Sequence, residues 1–213
     1  RLTYLDMSGF HTGAVKEMHS MFYKCSGLTS LDLSSFDTRN VNSMGCMFIY
    51  CSSLANLNLS SFRTDNVTNM ADMFDGCSSL VSLDLSGFNT GRAIHMAFMF
   101  QDCGSLTSLD LSSFNTRSCT SLAGMFRGCG SLKSLDLSNF NTNKVTYMNQ
   151  MFQDCGSLVT LDLSGFNMEN VVSTRYMFDG CDNLKKILMR GCNKKTIEMI
   201  NAVKPEEAVI VTG

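Results

Sequence analysis

The sequence predicts an α/β repeat solenoid, a curved stack with one parallel sheet of about eight rungs and short helices on the opposite face. Three observations lead to this prediction. A motif recurs every 26 residues without insertion or deletion. Each copy contains one segment with the alternation of a strand and another with apolar residues at helical spacing. Self-similarity at such a fixed period is typical of stacked repeats.

The repeat is clearest in a Met-Phe-x-x-Cys motif. Its copies begin at Met21, Met47, Met73, Met99, Met125, Met151 and Met177. No single copy can cover its own apolar faces, so the copies must stack to close a common core.

A strand is predicted at Leu31-Asp32-Leu33-Ser34, where the leucines face one side and the polar residues face the other. Equivalent positions give eight predicted rungs, at Leu5, Leu31, Leu57, Leu83, Leu109, Leu135, Leu161 and Ile187.

A short helix is predicted in the second half of each copy. In one copy the apolar positions are Val41, Met44, Met47, Phe48 and Cys51. On a helical wheel these positions fall within an arc of about 120°. We expect Thr38 and its equivalents to cap the helix N-termini, because threonine hydroxyls accept hydrogen bonds from free helical N–H groups.

Seven of the ten cysteines share one phase of the repeat. They are Cys25, Cys51, Cys77, Cys103, Cys129, Cys155 and Cys181. We expect free, buried thiols that pack as small apolar groups. Cys46 lies at a different phase and is the cysteine expected to be most exposed.

The pattern L-x-S-L-D-L-S-x-F-x-T-x-x-V-x-x-M-x-x-M-F-x-x-C, from residue 2 to about residue 190, resembles the leucine-rich repeats of BspA-like bacterial surface proteins. The resemblance implies a curved leucine-rich-repeat solenoid. It also implies a secreted or cell-wall-attached protein that adheres to host proteins or to other cells.

The pattern decays after Leu184. An amphipathic helix is predicted from Lys194 to Val203 and a final strand from Ala208 to Val211. We therefore predict a solenoid at residues 1–190 and a C-terminal cap at residues 191–213. The chain begins in the middle of a repeat, so we expect an excised segment whose open first rung favours end-to-end self-association.

Composition disfavours several functions. The net charge of -2, with both signs scattered, disfavours nucleic-acid binding. No apolar run approaches the roughly 18 residues of a membrane span, so no direct membrane insertion is expected. His11, His19 and His95 occupy unrelated phases. No enzyme activity, metal site or cofactor is therefore expected.

An acidic row follows the strand face. Its members Asp32, Asp84, Asp110, Asp136 and Asp162 recur at one phase with Asp6. We favour a hydrogen-bonded surface with serine donors over a calcium site, because identical strands supply no cage of oxygen ligands. Solenoids commonly bind partners on concave surfaces, so this concave face is one candidate binding surface.

The other candidate surface lies on the predicted helical side, where residues differ between copies. Its apolar, aromatic and histidine positions are Ile49, Tyr50, Ile94, His95, Phe98, Tyr147, Val172 and Tyr176. Exposed aromatic clusters are a feature of binding sites.

The sequence thus predicts a non-enzymatic protein-interaction module, part of a bacterial surface adhesin that binds a host matrix or cell-surface protein. The alternative is a structural spacer with no ligand of its own.

Overall fold

The computed structural model describes residues 2–213, which form a solenoid of about seven stacked turns. Its regular elements are strands β1 (Ser30–Asp32), β2 (Asn56–Asn58), β3 (Ser134–Asp136), β4 (Thr160–Asp162) and β5 (Lys186–Leu188), helix α1 (Lys194–Asn201) and strand β6 (Val209–Val211). The parallel sheet predicted from the leucine positions is confirmed in its direction and register. Leu31 lies opposite Leu57, and Leu135 lies opposite Leu161.

The strand row is divided into two sheets, β1-β2 and β3-β4-β5-β6. The predicted rungs at Leu5, Leu83 and Leu109 lie outside the strands. Near the gap, the hydrogen bond from the Thr107 N–H to the Val81 carbonyl is 3.4 Å long, whereas equivalent bonds elsewhere are 2.8–3.0 Å. A strand of three residues has so few ladder bonds that lengthening one is enough to end it.

The repeat helix predicted across Val41–Cys51 is wrong. Cys46 and Tyr50 have φ angles of 57° and 58°, in the left-handed region that an α-helix cannot contain. Alternate N–H groups instead donate to carbonyls of the following turn of the solenoid. The four bonds run from Met44 to Asn69, Cys46 to Ala71, Phe48 to Met73 and Tyr50 to Asp75, at 2.7–2.9 Å.

The intervening N–H groups of Met47, Ile49 and Cys51 donate to carbonyls three residues earlier, at 3.0–3.2 Å. We call residues 43–51 and their equivalents in every copy the turn ladder. Residues three and four apart face the core in these successive tight turns, as they do on a helix. The helical spacing of apolar residues therefore has a different origin from the one we inferred.

Two rows of aromatic rings run through the core. Rings of the Met-Phe motif, such as Phe22, Phe48 and Phe74, stack with centroids 5.5 Å apart and nearly parallel planes. A second row, including Phe36 and Phe62, has centroids 6.5 Å apart. Stacking at these distances adds attraction to the burial of each ring.

Thr38 and its equivalents, which we call the threonine row, do not cap helices, because the turn ladder contains no helix. The buried Thr90 hydroxyl donates to the Asn115 carbonyl at 3.0 Å and accepts from the Asn115 N–H at 2.8 Å. Equivalent threonines bridge to the residue 25 positions later in the same way. At the end of the row, the Thr196 hydroxyl of α1 accepts from the Met168 N–H at 3.0 Å.

The seven cysteines of the Met-Phe-x-x-Cys motif are free, as predicted. The Cys51 thiol donates to the Phe22 carbonyl at 3.1 Å, and burial raises its pKa to about 12. Cys46 is half-buried, and so are Cys25 and Cys192, whereas the other seven cysteines are buried; that Cys46 is the most exposed of the three stays a prediction.

The C-terminal segment contains α1 and β6, within the predicted helix and strand. The Asn193 side chain caps α1 by accepting from the Thr196 N–H at 2.8 Å, and Ile200 is buried against the solenoid. β6 extends the sheet with Ile210 opposite Ile187. The division of the chain at residue 190 stays a prediction.

A buried carboxylate lies within the turn ladder. Asp75 is 3% exposed and accepts from Gln101 Nε2 at 3.1 Å. Gln101 in turn lies 3.5 Å from an Arg127 amino group. Burial raises the pKa of Asp75 to about 6, so its charged form is disfavoured in the folded protein.

We expect a Thr90→Val substitution to lower the free energy of unfolding by about 2–3 kcal/mol, because it leaves the backbone N–H and carbonyl of Asn115 unpaired. Thr90→Ser should recover most of the loss. Thr107→Val, at an exposed threonine, is the matched control. Chemical denaturation of the four proteins measures the effect, and equal losses at both sites would contradict the bridging role.

A second prediction concerns pH. In wild type the raised pKa of Asp75 costs stability above pH 6, and this cost is relieved as pH falls toward the unfolded value near 3.8. Asp75→Asn should therefore be more stable than wild type by about 1–2 kcal/mol at pH 8 and indistinguishable from it near pH 4. Thermal unfolding across this range tests the prediction, with exposed Asp182→Asn as control. A constant difference at every pH would contradict it.

Candidate protein-binding surfaces

The strand face carries the acidic row on short polar turns. In each of the five rungs named above, an Asp Oδ1 accepts the N–H of the serine two residues later, at 2.9 Å. This hydrogen bond lowers the pKa of Asp32, Asp84, Asp110 and Asp136. The carboxylates thus stabilise the turn that follows each of these rungs, and Asn58 does the same through its amide oxygen at 3.1 Å.

The first four rungs of this face form an open depression of about 610 Å³. Its rim includes Tyr4, Asp32, Asn58 and Asp84, and partly buried Leu57 lies at its floor. Within residues 2–213, no three His, Cys, Asp or Glu side chains converge in a way that could hold a metal ion. The depression offers polar groups over a leucine floor, which suits a peptide or protein surface.

The turn ladder presents most of the other predicted residues to solvent. Tyr50, Ile94, His95, Tyr147, Val172 and Tyr176 are exposed. Ile49 is the exception and is only 9% exposed, so its assignment to the exposed surface is wrong. Its place in a tight turn, rather than on a helix, directs the side chain inward. Phe98 is half-buried, because its ring lies across Gly124 of the next turn.

Apart from Ile94 and His95, which lie in the middle of the solenoid, the exposed residues fall into two groups toward its opposite ends. Near the N-terminus, Tyr23 and Tyr50 flank Lys24, whose Nζ lies 4.9 and 5.9 Å from the two ring centroids. Tyr50 lies so close to Gly76 that a Cβ there would approach its ring within 2.4 Å. The residues predicted for this surface did not include Tyr23 and Lys24. Both depart from the repeat pattern, and that departure could have identified them.

The second group comprises Tyr147, Val172, Arg175 and Tyr176, and we call it the C-terminal aromatic cluster. Tyr147, Val172 and Tyr176 are 50%, 72% and 49% exposed. The backbone of Tyr147 pairs with Ser173, which places these side chains on neighbouring turns.

Arg175 contacts Tyr176 in this cluster, and it was not among the residues predicted from the sequence. Its guanidinium lies 4.6 Å from the Tyr176 ring centroid, and its Nη2 donates to the Tyr176 hydroxyl at 2.7 Å. A shallow depression of about 300 Å³ between Gln150 and Tyr176 adjoins it. A tyrosine held beside an arginine matches two of the residue types enriched at binding hot spots.

No helix among residues 2–213 combines the length and apolar content needed to cross a membrane.

Solved structures with similar folds include bacterial leucine-rich-repeat proteins. A leucine-rich repeat protein from Bacteroides ovatus is 22% identical with a TM-score of 0.42, and the match covers 83% of this chain but only 53% of that one. The Treponema pallidum leucine-rich repeat protein is 20% identical with a TM-score of 0.42, over 92% and 80% of the two chains. A leucine-rich cell surface protein from Faecalibacterium prausnitzii is 17% identical with a TM-score of 0.31, over 92% and 74%.

The chain thus spans about half the length of the Bacteroides protein. No match is found among the curated proteins. A family model matches twice, at residues 2–108 and at residues 81–190, following the repeat itself. These matches together cover residues 2–190, and the chain therefore belongs to the family described as Mycoplasma protein of unknown function, DUF285.

Proposed function

We propose that this chain is the non-enzymatic ligand-binding part of a bacterial cell-surface adhesin, with a host matrix or cell-surface protein as its ligand. Residues 1–190 form the binding solenoid in this proposal, and residues 191–213 cap it.

The C-terminal aromatic cluster is the observation that carries the proposal. Stacking accounts for the buried Met, Phe, Leu and Cys rows, but nothing in the stack requires Tyr147, Val172 or Tyr176 to be large and apolar. Equivalent positions in most other copies hold polar residues such as Ser121 and Gln150. Large apolar side chains grouped on one exposed surface favour binding over a purely structural role.

The depression of the strand face supports a second location for the same function. Its carboxylates already serve the strand-ending turns, yet they remain exposed and give this face a negative charge. A partner bound there would carry basic or hydrogen-bond-donating side chains.

We expect the immobilised chain to capture a defined extracellular-matrix protein, or intact cells, from a panel of purified matrix proteins and cell types. Tyr147→Ser combined with Tyr176→Ser should weaken that binding at least tenfold, since hot-spot truncation costs about 2 kcal/mol or more. Val81→Ser combined with Val159→Ser is the matched control, because both valines are exposed but lie outside the cluster.

Asp32→Asn combined with Asp84→Asn tests the strand face, because both carboxylates line its depression. Asn58 shows that asparagine keeps the strand-ending hydrogen bond, so this pair of changes removes charge without removing the turn. Weakening by this pair alone would move the binding surface to the strand face. Absence of binding to every ligand in the panel would favour the spacer and contradict the proposal.

A further inference from the structure

The last turn of the turn ladder has a row of backbone donors with no acceptor among residues 2–213. These are the N–H groups of Thr174, Tyr176, Phe178 and Gly180, none of which donates to a protein atom in the described structure. They occupy the positions that donate along the solenoid axis in the earlier turns. The C-terminal end of the turn ladder is therefore an open hydrogen-bonding edge.

The preceding turn shows what such a row binds. Its donors Met148, Gln150, Phe152 and Asp154 bond to the carbonyls of Ser173, Arg175, Met177 and Asp179, at 2.7–3.0 Å. The acceptors are alternate carbonyls of a polypeptide backbone that runs parallel to the donors. The same arrangement recurs in the earlier turns. The natural occupant of these four positions is thus a backbone segment, rather than a single anion or a metal ion.

The edge is open because the chain leaves the repeat pattern at this point. Residues that would form the next turn fold instead into α1, which packs over the threonine row through Thr196. The chain then passes through Val203–Pro205 at the side of the last turn. Between these residues and Tyr176–Asp182 lies an open depression of about 410 Å³.

The free N–H groups of Tyr176, Phe178 and Gly180 supply the donors for an incoming row of carbonyl oxygens. Lys204 and Asp182 lie on opposite walls of the depression, and the Lys204 ammonium donates to the carbonyls of Pro205 and Glu206, at 3.3 and 3.4 Å. Tyr176 belongs to the wall of the depression and to the C-terminal aromatic cluster. A segment seated on the edge would therefore bring its side chains against exposed aromatic and aliphatic groups.

We propose that this open edge is the docking site for a backbone segment of the protein ligand that folds into the same succession of tight turns and adds to the turn ladder as one further turn would. This inference rests on the proposed function. Alternate carbonyls of the ligand accept from the backbone N–H groups of Tyr176, Phe178 and Gly180. The C-terminal aromatic cluster contacts the adjacent side chains of the ligand. Main-chain bonds supply affinity and side-chain pockets supply specificity, as in other cases of edge addition.

Amide hydrogen exchange of the 213-residue chain tests whether the edge is open. The amides of Tyr176, Phe178 and Gly180 should exchange at least tenfold faster than those of Gln150, Phe152 and Asp154, which occupy the same positions one turn earlier. Equal protection of the two sets would overturn the proposal, because an acceptor would then already be present.

Binding is tested with a synthetic peptide of residues 43–51, with serine in place of its two cysteines, since this segment presents alternate carbonyls to the turn before it. Added in excess, the peptide should slow exchange at Tyr176, Phe178 and Gly180 at least threefold. Lys204→Trp, which fills the depression, should abolish this effect, and the exposed Lys186→Trp should not. Asp182→Trp fills the depression from the opposite wall and replaces Lys204→Trp if that variant unfolds.

Unchanged exchange with the peptide overturns the proposal. Protection that instead rises with protein concentration, together with a dimer in sedimentation, identifies a second copy as the occupant and also overturns it.

Failure of the adhesin function is a separate result. If a matrix protein binds equally well to wild type and to Lys204→Trp, the adhesin function is supported and docking at the open edge is contradicted. If the chain binds the peptide but no ligand of the panel, docking at the edge is supported and the adhesin function is contradicted.

Discussion

The structure depends on the hydrogen bonds that run along the solenoid axis between successive turns. In the turn ladder, one N–H in two reaches the next copy, while the others close tight turns within their own copy. This alternation satisfies the backbone without a helix or a long strand. It also tolerates two residues with left-handed backbone in each turn. In the first two copies none of these residues is glycine: they are Ser20, Lys24, Cys46 and Tyr50. Such conformations are disfavoured by about 1 kcal/mol or more each and persist because the bonds to the neighbouring turn hold them.

The same bonds explain why the core residues repeat so strictly. A side chain in one turn packs against its equivalent in the next, so a change of size at one copy affects two interfaces. Buried polar groups obey the same rule, since the hydroxyls of the buried threonine row and the thiols of the Met-Phe-x-x-Cys motif from Cys51 onward have a backbone partner in a neighbouring turn. The methionine and cysteine rows are thus packing elements. Residues free of these demands lie on the outside of the turn ladder, and that is where the copies differ.

Axial hydrogen bonding also gives the solenoid a polarity. All the alternate N–H groups point toward the C-terminal end, so the last turn presents donors wherever no further turn covers it. α1 covers the part of this end near the threonine row and leaves the part near Tyr176 open. The aromatic cluster and the open edge are neighbours for this reason, and one ligand can contact both.

The sequence by itself determined the repeat period, the parallel register, the buried rows and the C-terminal helix and strand. Those features follow from periodicity, because identical side chains at a fixed interval can share a core only when the copies stack in register. The tertiary structure alone decided the path of the chain from Val41 to Cys51. Apolar residues three and four apart fit either a helix or consecutive tight turns, and only the hydrogen bonds to the neighbouring copy distinguish the two. The inward direction of Ile49, the pairing of Arg175 with Tyr176 and the unfilled donors of the last turn all follow from that path. They could not be predicted from one copy of the motif, since each depends on the copy beside it.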